Sequence, residues 1–228
     1  GYKGYILCFS LLCSLVCFGQ SAVPLPGTLV TVQSPDNNLS ARFYQAKDKD
    51  GNTLFYEVTC KGMTVIRPSV LDIRLDNHLS ENAMALKVDT FSRWTANLVL
   101  TGITHSSQDT SWHPVAGEQA LIRDHYNAVT IALQKDDNPD YHMNVEIRAY
   151  NEGIAFRYFF PENEKGSYYR VTAERTEFAL PEGATAFHAL WGQAKYQELP
   201  LRNWPGPAER PLTIKLRDGC YLCLAEAQ

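Results

Sequence analysis

The segment Met143–Tyr150, MNVEIRAY, is followed by a three-residue break, Asn151-Glu152-Gly153, and then by Ile154–Phe160, IAFRYFF. In the first run Met, Val, Ile and Ala occupy every second position, with Asn, Glu, Arg and Tyr between them. That period of two puts one set of side chains on each face of an extended strand. Asn-Glu-Gly supplies the turn chemistry that lets the chain reverse. The stretch therefore reads as a β-hairpin with one buried face and one wet face. Arg157 falls on the polar side of the second strand, where a carboxylate partner is one reading and plain exposure another.

The same rhythm recurs elsewhere. Leu39–Gln45 (LSARFYQ), Leu54–Cys60 (LFYEVTC) and Ala128–Gln134 (AVTIALQ) alternate in the same way. Asp50-Gly51, Lys61-Gly62, Asn138-Pro139, Glu182-Gly183 and Asp218-Gly219 mark further turns. Arg210–Leu216 and Cys220–Glu226 read as a closing pair of strands, both ordered parts of the fold. The nearest approach to a helical period is Glu81–Val88, ENAMALKV. Many strands with hairpin turns and no strand–helix alternation predict an all-β fold with little helix, a large two-sheet sandwich over residues 21–228.

The 228 residues are 45% hydrophobic and 20% charged, which is enough apolar material for one large core. The formal net charge of −4, with no block of Lys or Arg, argues against nucleic acid or an anionic membrane as partner. Residues 1–20 carry Lys3 and then an apolar run from Tyr5 to Phe18, the pattern of a secretory signal peptide. That run is shorter than the roughly 20 residues a membrane span takes. An exported protein, periplasmic or extracellular and without a membrane anchor, is the expectation. Cys60, Cys220 and Cys223 lie beyond the signal. The C-x-x-C spacing of the last two invites a metal reading, but residues three apart on a strand face opposite sides, so a structural role is expected.

No phosphate-binding glycine loop, metalloprotease motif or hydrolase nucleophile elbow occurs. The six histidines are scattered. The segment Phe187–Pro200, FHALWGQAKYQELP, stands out because it concentrates Trp191, Tyr196, Gln197 and Glu198 and then runs into the Pro- and Gly-rich Pro200–Pro211. It reads as an irregular loop, the kind of place where binding residues collect. The competing reading is a surface loop whose Trp caps the core.

Several pieces in order carry a family resemblance: Ser34–Tyr44 (SPDNNLSARFY), Leu54–Leu75, Trp112–Leu133 (WHPVAGEQALIRDHYNAVTIAL), Glu146–Pro161, Arg175–Gly183 (RTEFALPEG) and Arg210–Ala227. Together they resemble the N-terminal domain of glycoside hydrolase family 97, α-glucosidases and α-galactosidases of the Bacteroidetes type. The resemblance implies a β-super-sandwich of the galactose mutarotase kind, followed in the family by a catalytic (β/α)₈ barrel. It implies that the chain stops where that barrel would begin. The acid, base and nucleophile belong to the barrel, so no catalytic residue is expected in this chain and the fragment alone is expected to be inactive. The resemblance also implies a calcium ion at the active site, to which a loop of this domain lends a glutamate. Glu198 matches that position, Trp191 and Gln197 become candidate substrate contacts, and Glu118 is the next carboxylate to consider. The implied partners are an oligosaccharide with α-linked glucose or galactose and the protein's own barrel. The alternative is a stand-alone mutarotase-like carbohydrate-binding module, which needs an acid–base pair such as His188 and Glu198 on one concave face.

Overall fold

The computed structural model describes residues 27–49, 51–75, 95–136, 139–162, 164 and 170–226. The signal-like segment, Glu81–Val88 and Asn138 lie outside the described residues. Among the described residues fourteen strands follow one another: β1 (Thr28–Gln33), β2 (Leu39–Asp48), β3 (Gly51–Cys60), β4 (Met63–Val70), β5 (Ile73–Leu75), β6 (Leu98–Trp112), β7 (Ile122–Lys135), β8 (His142–Tyr150), β9 (Ile154–Phe159), β10 (Val171–Glu174), β11 (Thr185–His188), β12 (Gln197–Pro200), β13 (Leu212–Lys215) and β14 (Tyr221–Leu224). Among the described residues the helical content is two single 3₁₀ turns, Leu201–Asn203 and Arg217–Gly219.

Two antiparallel four-stranded sheets, β1-β2-β3-β4 and β6-β7-β8-β9, make the sandwich. The alternation in the sequence is realised strand by strand. Met143, Val145, Ile147 and Ala149 of β8 are buried, as are Ala41, Phe43, Tyr56 and Val58 on the facing sheet. They share one core with Val129, Ile131 and Leu133 of β7 and Leu98 of β6. At its centre Phe43 stacks on Tyr56 at 5.8 Å, and Phe156 meets both rings. Tyr56 keeps its hydroxyl satisfied by donating to the Glu177 carbonyl oxygen at 2.7 Å, which is why so large a polar side chain tolerates burial.

The turns follow their residues. Lys61 and Gly62 both adopt positive φ, as a two-residue I′ hairpin between β3 and β4 demands. Between β8 and β9 the Tyr150 amide donates to the Gly153 carbonyl across the Asn-Glu-Gly turn. On the outer face of that hairpin Arg157 does find a carboxylate: its Nε donates to Glu146 Oε2 at 2.7 Å, while Arg148 holds Oε1 from the other side. Across the molecule, on the outer face of the first sheet, Arg42 pairs with Glu57 and lies over the Tyr44 ring.

The sandwich carries two smaller sheets, which sequence reading did not separate from the two large ones. β5 pairs with β10, and β12-β11-β13-β14 form a four-stranded sheet of their own. The last sheet has a small core of Ala184, Ala186, Ile214 and Leu216. Half-buried Val65, Leu180, Leu222 and Leu224 pack against both this cluster and the main core, fastening the small sheet to the sandwich. The closing strands are shorter than the sequence suggests, because Arg217–Gly219 winds into a 3₁₀ turn between them.

Candidate functional site

The segment read as an irregular loop is half strand. Thr185–His188 and Gln197–Pro200 pair antiparallel, with Thr185 opposite Pro200, Phe187 opposite Glu198, and His188 opposite Gln197. Opposed residues share a face and successive residues do not. Glu198 therefore stands with Phe187 and Thr185 on the outer face of the small sheet. Gln197 lies on the other face, with His188. The two neighbours that the sequence grouped into one site point in opposite directions.

The pairing also removes the support for an acid–base couple. His188 is buried and stands edge-on to Trp204 at 5.1 Å, and its Nε2 lies 2.9 Å from the Pro207 carbonyl oxygen. It anchors the Pro- and Gly-rich segment over the small core. Glu198 is on the opposite side of the sheet, so the two do not converge on one concave face.

Around Glu198 the outer face is polar and aromatic. Thr185 Oγ1 donates to Glu198 Oε1 at 3.0 Å, and Lys215 Nζ sits 3.5 Å from the same oxygen. Lys215 is opposite Thr185 on β13 and opposite Tyr221 on β14. Tyr221 in turn stacks on Phe187 at 6.5 Å. Phe187, Glu198, Thr185, Lys215 and Tyr221 thus form one contiguous surface. Glu198 is 44% exposed and both described contacts fall on Oε1.

That arrangement alone does not amount to a complete calcium site. Calcium takes 6–8 oxygen ligands. A single carboxylate supplies at most two, and Lys215 is a positive charge a cation would have to displace or tolerate. Among the described residues no group of three or more His, Cys, Asp or Glu is placed to hold a metal ion. Glu198 by itself therefore does not make a metal site.

Trp191 and Tyr196 sit in the connection between β11 and β12. The Ala194 amide donates to the Trp191 carbonyl in a turn, and the Glu209 amide ties Ala189 to the Pro-rich segment. Trp191 is 57% exposed, so it does not cap the core; Trp204, which the sequence did not single out, does that through the small cluster. Cys220 and Cys223 are free and exposed, and the pairing of Cys223 with Thr213 puts it on the Glu198 face. Glu118 lies in the loop joining β6 to β7, strands of a different sheet from the one that holds Glu198.

Residues 32–228 match the family described as Glycosyl-hydrolase 97 N-terminal. The chain belongs to glycoside hydrolase family 97, as its N-terminal domain. It is 31% identical over 238 aligned residues to a retaining α-galactosidase of Bacteroides thetaiotaomicron, an alignment covering 97% of this chain and 31% of that protein. Family 97 enzymes from a Pseudoalteromonas species, solved with panose and with acarbose, superpose with a TM-score of 0.69 at 26% identity. The match covers 84% of this chain and 27% of theirs. A β-arabinopyranosidase shares the fold at a TM-score of 0.69 and 20% identity. The chain thus spans between about a quarter and a third of the length of the family 97 relatives it matches, and the sandwich is the family's N-terminal domain fold.

Proposed function

We propose that this chain is the N-terminal domain of an exported, calcium-dependent family 97 α-glycosidase, an α-galactosidase or α-glucosidase. The domain braces the catalytic barrel and lends Glu198 to the active-site calcium. The carrying observation is the near-complete match of this chain to about one third of a retaining α-galactosidase. The outer face of the small sheet supports the same reading. It holds a half-exposed carboxylate oriented by Thr185 and Lys215 and flanked by a stacked aromatic pair, which is a surface suited to meeting another part of a protein. A bound calcium would supply charge at the reacting sugar; this chain's part is to fix one carboxylate. Trp191, exposed in the connection between β11 and β12, is the proposed sugar contact, because an indole offers a flat apolar plane to a sugar ring. Gln197 is a weaker candidate, since it faces away from Glu198.

Residues 1–20 serve in this reading as the export signal, and the mature protein acts in the periplasm or outside the cell. The test is hydrolysis of p-nitrophenyl α-galactoside and α-glucoside by the full-length gene product beside the purified 228-residue chain. The full-length protein is expected to turn over at least one of them, and the 228-residue chain neither, because glycoside hydrolysis needs a carboxylate pair flanking the bond. Turnover by the 228-residue chain would place the chemistry in this domain and overturn the proposal.

A further inference from the structure

The β6–β7 pair is longer than the sheet that contains it. β7 pairs with β8 from Tyr126 to Gln134, but with β6 from Ile122 to Lys135. Asp109–Trp112 and Ile122–His125 therefore form a two-stranded arm beyond the four-stranded sheet. A two-stranded ribbon is marginal in water without further support, and this one is braced. Arg123 grips Asp109 through two hydrogen bonds of 2.7 Å. Gln108 donates to Asp124 at 2.6 Å and accepts from the Tyr126 hydroxyl at 3.1 Å. At the tip, His113 Nδ1 lies 2.7 Å from the Ala120 carbonyl oxygen and closes the connecting loop.

The end of the braced arm presents three large apolar side chains. Trp112 and Leu121 are each 52% exposed, and Val115 is fully exposed. Single exposed apolar residues are ordinary. Three within ten residues, at the end of an arm braced by the Arg123–Asp109 pair and the Gln108 hydrogen bonds, are a local concentration of exposed apolar surface of the kind that marks an interaction site.

We infer that the tip of this arm docks on the remainder of the same polypeptide in the full-length enzyme, clasping the two together. The occupant follows from the relatives: the matched region is 31% of the α-galactosidase and 27% of the Pseudoalteromonas enzyme, so in each more than two thirds of the chain lies outside it. A preformed ribbon inserts apolar side chains with little ordering cost, which suits a permanent contact inside one molecule. The inference rests on reading this chain as one domain of a larger hydrolase.

The test uses the full-length enzyme carrying Val115→Cys, labelled with an uncharged maleimide and read peptide by peptide, so that Cys60, Cys220 and Cys223 are resolved separately. The comparison is Glu152→Cys, on the exposed β8–β9 turn. The thiol at 115 is expected to react about ten-fold more slowly than that at 152 in the native enzyme and equally fast in denaturant, as a docked group does. Equal native rates in an enzyme that still cleaves α-glycosides would overturn the clasp and leave the domain reading standing. Protection that disappears on dilution, together with a dimer in sedimentation, would assign the tip to a second copy and equally overturn it. Should Val115→Cys not accumulate, hydroxyl-radical footprinting of Trp112 in the unsubstituted enzyme decides. Protection beyond its half-exposure supports the clasp, and oxidation as fast as in the unfolded chain overturns it. A protected tip in a full-length protein without glycosidase activity would count against the hydrolase reading and still support the clasp.

Discussion

The large sandwich and the small sheet are built from the same kind of strand and do different work. The sandwich closes over a continuous core with Phe43, Tyr56, Leu133 and Met143 among its fully buried side chains. The small sheet has two alanines, one isoleucine and one leucine at its centre and borrows half-buried neighbours from the sandwich. Stability is concentrated in the first and candidate chemistry in the second. A thin sheet fastened to a thick one can expose Glu198, Lys215, Tyr221 and Trp191 without endangering the fold, since little of its own packing depends on them.

That contrast makes the size of substitution effects predictable. The largest loss is expected for Phe43→Ala, about 3–5 kcal/mol, because a fully buried ring leaves a cavity between two sheets that cannot collapse around it. Ile214→Ala in the small sheet is expected to cost about 2 kcal/mol, the low end for its type, since half-buried Leu212 and Leu222 can close in. Urea denaturation of the two variants beside the parent chain reads both. Equal losses would mean that the small sheet is as integral as the sandwich and would break the comparison.

An electrostatic effect comes next. Burial pushes the Glu146 carboxyl up, but hydrogen bonds from Arg157 and Arg148, and their charge, outweigh it and hold Glu146 below its ordinary value of 4.5. A carboxylate with a depressed folded-state pKa stabilises the fold above its unfolded value, and that contribution disappears as pH falls through the folded one. Glu146→Gln should therefore be less stable than the parent near neutral pH. The gap should narrow from about pH 4.5 downward. Melting temperature against pH for the two proteins shows it; a gap that widens in acid would mean that the arginine clamp is not what holds the group.

The smallest effect is expected at the proposed site itself. Glu198→Gln should change the stability of the chain by no more than about 0.5 kcal/mol, as is usual for a half-exposed surface side chain. A larger loss would mean that the Thr185–Glu198–Lys215 contacts are structural, and would blur the division between scaffold and site.

How much of this was legible depended on burial. Strands with one face in the core announced themselves, because Met143–Tyr150 and Ala128–Gln134 must alternate to fill one side and wet the other. β6 did not: LVLTGITHSSQDTSW is an edge strand that runs out onto an arm, and from Leu100 onward its side chains are largely exposed on both faces, so nothing enforces alternation. Sequence proximity also misled at the site. Gln197 and Glu198 are adjacent in the chain, and once β12 pairs with β11 that adjacency guarantees opposite faces. Four-residue strands carry too few alternations to reveal themselves, so the segment read as a loop. The choice of Glu198 came from family resemblance; what the structure adds is its neighbours, Thr185 and Lys215, which lie 13 and 17 residues away in sequence.

The most direct test of the proposed role is a calcium titration of activity in the full-length enzyme, unsubstituted beside Glu198→Gln. The amide keeps the shape and one carbonyl oxygen but loses the charge that calcium prefers. The variant's curve is expected to shift to higher calcium, with activity largely recovered when the ion is in excess. Superimposable curves would contradict the account, removing Glu198 from the calcium site and directing attention to Glu118 at the tip of the arm.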